Sequence, residues 1–140
     1  MAPRRTRARS TKRATPSSAA RPRTFNDLIK PHAGPVRAIA KRLRRVVYAT
    51  LPDAQEAIYG GSKVGLALYS LGKGARVLCG IQPGEGKCLL YVHNVTEKDS
   101  SELRLEGKGR SNRHVKLVSL EGGQEKAIRA LLRLACERTA

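Results

Sequence analysis

Three runs of strand-type residues, Val64–Leu71, Ala75–Gln82 and Lys87–Val95, follow one another with only a few residues between them. The gaps are Gly72-Lys73-Gly74 and Pro83-Gly84-Glu85-Gly86, both rich in residues that turn a chain sharply. Connections this short join antiparallel neighbours, because parallel pairing needs a long crossover. The three runs therefore predict a meander. Ala57–Tyr59 reads as a short strand before it, and Arg113–Leu120, which alternates again, reads as a last strand after it.

The segments on either side have helical periodicity. Gly34-Pro35 is a helix start, and Val36, Ile39, Ala40, Leu43, Val46 and Val47 then recur at the spacing of one apolar face until Leu51-Pro52 ends the pattern. The spacing predicts a helix over 35–50 whose other face carries Arg37, Lys41 and Arg44 on successive turns, with Arg45 beside them. After Gly122-Gly123 a second amphipathic helix turns Ile128, Leu131, Leu132 and Ala135 inward and Lys126, Arg129 and Arg133 outward. Residues 96–112 are polar and contain glycine, with one helical turn expected at Thr96–Glu102, capped by Thr96. The order of elements predicts an α+β fold: an antiparallel sheet of four to five strands covered by an N-terminal and a C-terminal helix.

Residues 1–24 are different in kind. They hold Arg4, Arg5, Arg7, Arg9, Lys12, Arg13, Arg21 and Arg23, no acidic residue, and Pro3, Pro16 and Pro22 without hydrophobic periodicity. Such a segment cannot bury enough apolar surface to offset the entropy of ordering, so it reads as a disordered basic arm, 1–24, before a folded domain, 25–140. Phe25, Leu28 and Ile29 form an apolar group expected to dock on that domain. The 140-residue chain has 28 basic and 11 acidic side chains, net +17; the arm contributes +8, and 20 − 11 leaves +9 on the body. Eight cations in an acid-free segment suit sequence-independent contact with nucleic-acid phosphates, the plain alternative being a solvated tail. Arg37, Lys41 and Arg44 would extend that track along the first helix. An Arg- and Ser-rich, acid-free start also fits an organelle transit peptide, the second reading of the same residues. No apolar run approaches the roughly 20 residues a bilayer requires. Three cysteines, Cys79, Cys88 and Cys136, are an odd number with no C-x-x-C spacing, which points to free thiols in a reduced, cytoplasmic setting.

One stretch carries a family resemblance. Leu105-Glu106-Gly107-Lys108-Gly109-Arg110-Ser111-Asn112-Arg113-His114-Val115-Lys116-Leu117, followed by Ser119-Leu120, resembles the Leu-x-Gly-x-Gly loop, Arg-His-Val/Ile-Lys strand and Ser-Leu helix approach of the YdhG-like domain family, a family of unknown function. Leu51-Pro52-Asp53-Ala54-Gln55-Glu56 is similar to that family's Leu-Pro-x-Ala-x-Glu after the first helix, and Tyr59–Tyr69 to its glycine-containing approach to the sheet, although the proline frequent near Ser62 is absent. The resemblance spans about residues 35–135 and implies a compact α+β domain. Some relatives are called frataxin-like iron chaperones, which makes iron the cofactor of the alternative reading. Iron wants clustered carboxylates, whereas the first helix here is basic and Asp53, Glu56, Asp99, Glu102 and Glu106 are sparse.

Two further constellations have both a functional and a plain reading. Gly107, Lys108, Gly109, Arg110, Arg113 and His114 could cradle an anionic ligand, since glycine lets backbone N–H groups converge and the cations add charge; the plain reading is a glycine turn into the last strand. His93 and His114, with Cys79 or Cys88, supply ligand types that zinc or iron prefers but in no recognised metal spacing, and the plain reading packs the thiols as small hydrophobes. Neither a nucleophile elbow, an H-E-x-x-H pair nor a dinucleotide fingerprint occurs, so the sequence predicts a non-catalytic binding domain.

Overall fold

In the computed structural model, which describes residues 22–60, 65–72 and 76–139, the two predicted amphipathic helices form where the periodicity places them. A short helix, α1, spans Phe25–Ile29; the long helices are α2, Gly34–Thr50, and α3, Gly122–Thr139. Pro35 lies in the first turn of α2, where its missing N–H would be unpaired in any case. Val36, Ile39, Ala40, Leu43, Val46 and Val47 are all buried, as the spacing requires.

Five strands follow one another in space as in sequence: β1, Gln55–Gly60; β2, Gly65–Ser70; β3, Val77–Pro83; β4, Cys88–His93; and β5, Asn112–Leu117, every neighbouring pair antiparallel. Strand β1 is longer than the three residues expected, because all six positions find partners on β2. Strand β5 ends at Leu117, three residues early: Val118 is 69% exposed while Leu120 is buried, as the chain leaves the sheet for α3. All helices lie on one face. There Ala67, Tyr69, Cys79, Ile81, Cys88, Leu90, Val92, Val115 and Leu117 form one core with the apolar sides of α1, α2 and α3. A register shift beside Tyr69 buries the adjacent Leu78 and Cys79 together.

Two expectations are corrected. The helical turn at Thr96–Glu102 is a single hydrogen-bonded turn, in which the Asp99 N–H donates to the Thr96 carbonyl at 3.0 Å and the Asp99 carboxylate accepts from the Thr96 N–H at 2.7 Å. Beyond it no helix forms, and Leu103 and Leu105 are both buried. The second correction concerns the domain boundary. Thr24 caps α1 by accepting from the Asp27 N–H at 3.1 Å, while the Asp27 carboxylate accepts from the Thr24 and Arg23 N–H groups at 3.2 Å each. A Cβ on Gly60 would stand 2.7 Å from Pro22, so the chain already packs on the sheet at residue 22. Arg4, Arg5, Arg7, Arg9, Lys12, Arg13 and Arg21, and with them the disordered-arm reading, lie outside the described residues, as do Ser62 and the Lys73-Gly74 turn.

The first helix, α1, is held by a polar knot. Tyr69 is fully buried, and its hydroxyl donates to Glu56 Oε2 at 2.6 Å. Arg44 donates to the same carboxylate from Nε at 2.7 Å and from Nη2 at 3.2 Å. Its guanidinium lies 5.2 Å from the ring centres of both Phe25 and Tyr48, and Tyr48 meets Tyr69 edge to face at 5.8 Å. Arg44 is thus turned toward the sheet, not outward in the basic stripe where the helical wheel sets it. Burial raises the Tyr69 phenol well above its ordinary range, and its hydrogen bond to Glu56 raises it further, so it stays a donor. We expect Tyr69→Phe to cost about 1.5–3 kcal/mol in urea unfolding, the worth of a hydrogen bond to a charged group. Arg44→Ala should cost a similar amount, its half-exposed ion pair being partly screened, and the double variant should fall short of the sum because both act on Glu56.

Candidate nucleic-acid interface

The solvent side of the helix layer gathers most of the predicted cations and one that helical phase alone does not single out. Arg37, Lys41 and Arg45 stand on successive turns of α2, all exposed, and Lys126, Arg129 and Arg133 are exposed on α3. Helices α2 and α3 lie side by side. Between them runs a groove of about 420 Å³ lined by Arg42, Arg45, Val46, Ala49, Glu125 and Arg129. Glu125 accepts from Arg42 Nε at 2.5 Å and lies 3.6 Å from Arg129 Nη2. One carboxylate therefore orients two guanidinium groups beside a third, Arg45, and the groove keeps a positive excess. Arg37 is steadied by donating to the His32 carbonyl at 2.9 Å. The result is a seven-cation surface made of Arg37, Lys41, Arg42, Arg45, Lys126, Arg129 and Arg133. In the sequence nothing singles out Arg42; its part depends on α3 arriving alongside. Arg44 leaves the set.

The glycine loop is organised differently from an anion cradle. Gly107 adopts φ +132°, a conformation that favours glycine, and Lys108 and Arg110 are exposed. Arg113, however, turns back into the loop. It donates to the carbonyls of Gly109 and Asn112 and to Glu97, at 3.1 Å from Nε and 2.8 Å from Nη2. The guanidinium thus ties the loop down instead of facing a ligand. His114 pairs its backbone with Glu106, extending the sheet beyond β5, and directs its ring to the far face of the sheet. Of the six predicted residues, Lys108 and Arg110 remain together and free of ion pairs among the described residues, while Arg113 and His114 are occupied elsewhere.

The mixed His/Cys ligand set is separated by the sheet itself. Strand alternation puts His93 and His114 on the open face and Cys79 and Cys88 in the core on the other. Burial pushes both thiols up to about 12, which removes the thiolate that a metal or an electrophile would need, and burial lowers the imidazole of His93. Of the carboxylates named for iron, Glu56, Asp53 and Glu106 stand apart from Asp99 and Glu102. Glu56 is held by Arg44; Asp99 accepts from Arg138 at 2.8 and 3.0 Å; Glu106 lies 3.6 Å from Arg104; Asp53 is exposed at the turn before β1. Asp99 and Glu102 share a cleft of about 460 Å³ with Glu137 and Arg133. Among the described residues no three His, Cys, Asp or Glu side chains gather as a metal site, and no helix is long and apolar enough to cross a membrane.

The Asp99–Arg138 pair joins the end of α3 to the turn after β4, with Arg138 also donating to the Asn94 carbonyl at 3.0 Å. Hydrogen bonds from Arg138, then from the Thr96 backbone, hold the Asp99 carboxyl at about 2. A carboxyl lowered by folding stabilises the fold above its unfolded value, and that contribution disappears as pH falls through the folded one. Melting temperature should therefore drop between about pH 4 and pH 2, and Asp99→Asn should flatten that drop while lowering stability at neutral pH. Thiol titration of the native protein should find Cys79 and Cys88 unreactive, with the half-buried Cys136 reacting first and all three reacting in denaturant. Comparison with family models, with curated proteins and with solved structures returns no match.

Proposed function

We propose that the chain is a non-catalytic YdhG-like domain, cytoplasmic, that binds double-stranded nucleic acid without sequence preference. Phosphates meet the outer face of α2 and α3, and the basic N-terminal segment adds further contacts. The observation that carries this reading is the seven-cation helix surface, in which Glu125 is the one carboxylate in the groove. Arginines spaced along two adjacent helices suit the backbone of a duplex, since phosphate contacts position a protein without reading bases. The net charge of +17 supplies attraction at long range. The non-catalytic part is supported by the inert buried thiols and by the carboxylates committed to arginine. The same commitments argue against iron as cargo. Free cysteines, three in number, support a reduced compartment.

The salt dependence of duplex binding measures the phosphates engaged, with a slope of about −0.9 per contact. Arg37→Ala with Lys41→Ala and Arg45→Ala should flatten that slope by about one to three units, and Arg129→Ala with Arg133→Ala by about one to two. Arg44→Ala should alter stability and leave the slope nearly unchanged. Equal slopes for all variants, or no duplex binding by the full chain at low salt, would reject the helix-face reading.

A further inference from the structure

The face of the sheet opposite the helices carries a second and chemically different set of residues. Pairing register aligns Leu68, Gly80, Tyr91 and His114 in one row across β2 to β5. Leu66, Leu89 and Lys116 flank that row, with Tyr59, 54% exposed, toward the β1 edge. Gly80 keeps the centre flat: a Cβ there would stand 2.8 Å from Leu68 Cδ2, so the leucine lies across bare backbone. Tyr91 is positioned by its hydroxyl, which donates to Gln82 Oε1 at 2.7 Å, and its ring sits 5.5 Å from that of His114. Lys116 borders the platform opposite Leu89, Lys87 lies over Gly84 at the β3–β4 turn at the same end, and Glu106, 3.7 Å from His114 Nε2, closes it at the β5 edge.

We infer that this open face binds single-stranded nucleic acid, with unpaired bases laid on Tyr91 and His114 and the backbone met by Lys87 and Lys116. Flat rings beside cations are what a strand with exposed bases recognises, since every base has a π-face and each nucleotide brings a phosphate. A duplex cannot use the platform, because its bases are already stacked on one another. A second copy of the chain is a poor occupant: it would bring like charge, including a second Lys87 and Lys116, against the same face. The inference is independent of the helix-face reading, which concerns the opposite side of the molecule.

The test uses the full chain and fluorescence anisotropy with two probes, a labelled oligothymidylate of about a dozen nucleotides and a labelled duplex of equal length. Tyr91→Ala should weaken oligothymidylate binding about 5- to 150-fold, the range for loss of one base–ring stack, and leave duplex affinity unchanged. Tyr91→Phe, which keeps the ring, should stay near the wild type. Arg129→Ala with Arg133→Ala should show the opposite selectivity. Melting curves of each variant report folding, and in the wild type oligothymidylate should shift amide resonances of β4 and β5. The inference is overturned if Tyr91→Ala binds oligothymidylate as well as the wild type, if it loses both probes equally, or if sedimentation finds a dimer that Tyr91→Ala dissolves.

Discussion

A single carboxylate, Glu56, governs how the first half of the chain comes together. It accepts from a fully buried tyrosine on β2 and from an arginine on α2, so neither polar group is left unpaired in the space between helix and sheet. The arginine in turn lies against Phe25 of α1 and Tyr48 of α2. Four elements, α1, α2, β1 and β2, meet at that point. Without the carboxylate, Tyr69 would hold its hydroxyl in an apolar core at a cost comparable to a lost hydrogen bond. An apolar side chain in place of Tyr69 could fill the space, but it would not specify where β1 pairs or how α2 is rotated.

At the other end of the molecule the fold is closed by ion pairs of a different kind. Arg138 clasps Asp99 and the Asn94 carbonyl, joining the end of α3 to the turn after β4, and Arg113 clasps Glu97 and the glycine loop. These pairs sit near solvent, so they contribute modestly to stability. Their effect is positional: they occupy the very side chains that an iron site or an anion cradle would require. In a chain with 28 cations and 11 acids, Glu56, Glu97, Asp99, Glu106 and Glu125 each have an arginine within 3.6 Å. Cations without a carboxylate partner among the described residues include Arg37, Lys41 and Arg45 on the outer helix face, Lys108 and Arg110 on the glycine loop, and Lys116 on the open face of the sheet.

The sheet divides the remaining chemistry. Its inner face is apolar apart from Glu56 and the Tyr69 hydroxyl and takes Cys79 and Cys88 out of reach, while its outer face keeps tyrosine and histidine rings beside lysine. Because side chains alternate along a strand, residues close in sequence, such as Val92 and His93, serve opposite surfaces. The two nucleic-acid readings accordingly belong to two layers, cationic helices for phosphates and ringed strands for bases.

The number, type and order of the main elements were legible in the sequence, because periodicity of 3.6 or 2 and the chemistry of turns are local properties. Val36 to Val47 announced a helix and its buried side, and the turns around Gly72 and Gly84 announced a meander. Charge excess was equally plain. Partner choice was not. Arg44 and Arg45 are neighbours with the same chemistry, and only the approach of Glu56, Phe25 and Tyr48 decides that one faces the sheet and the other solvent. Arg42 joins the basic surface because α3 packs beside it, and His114 parts from Arg113 because the strand alternates between them. Each of these outcomes depends on contacts between residues distant in the chain, whose free energies appear only when the layers close on one another.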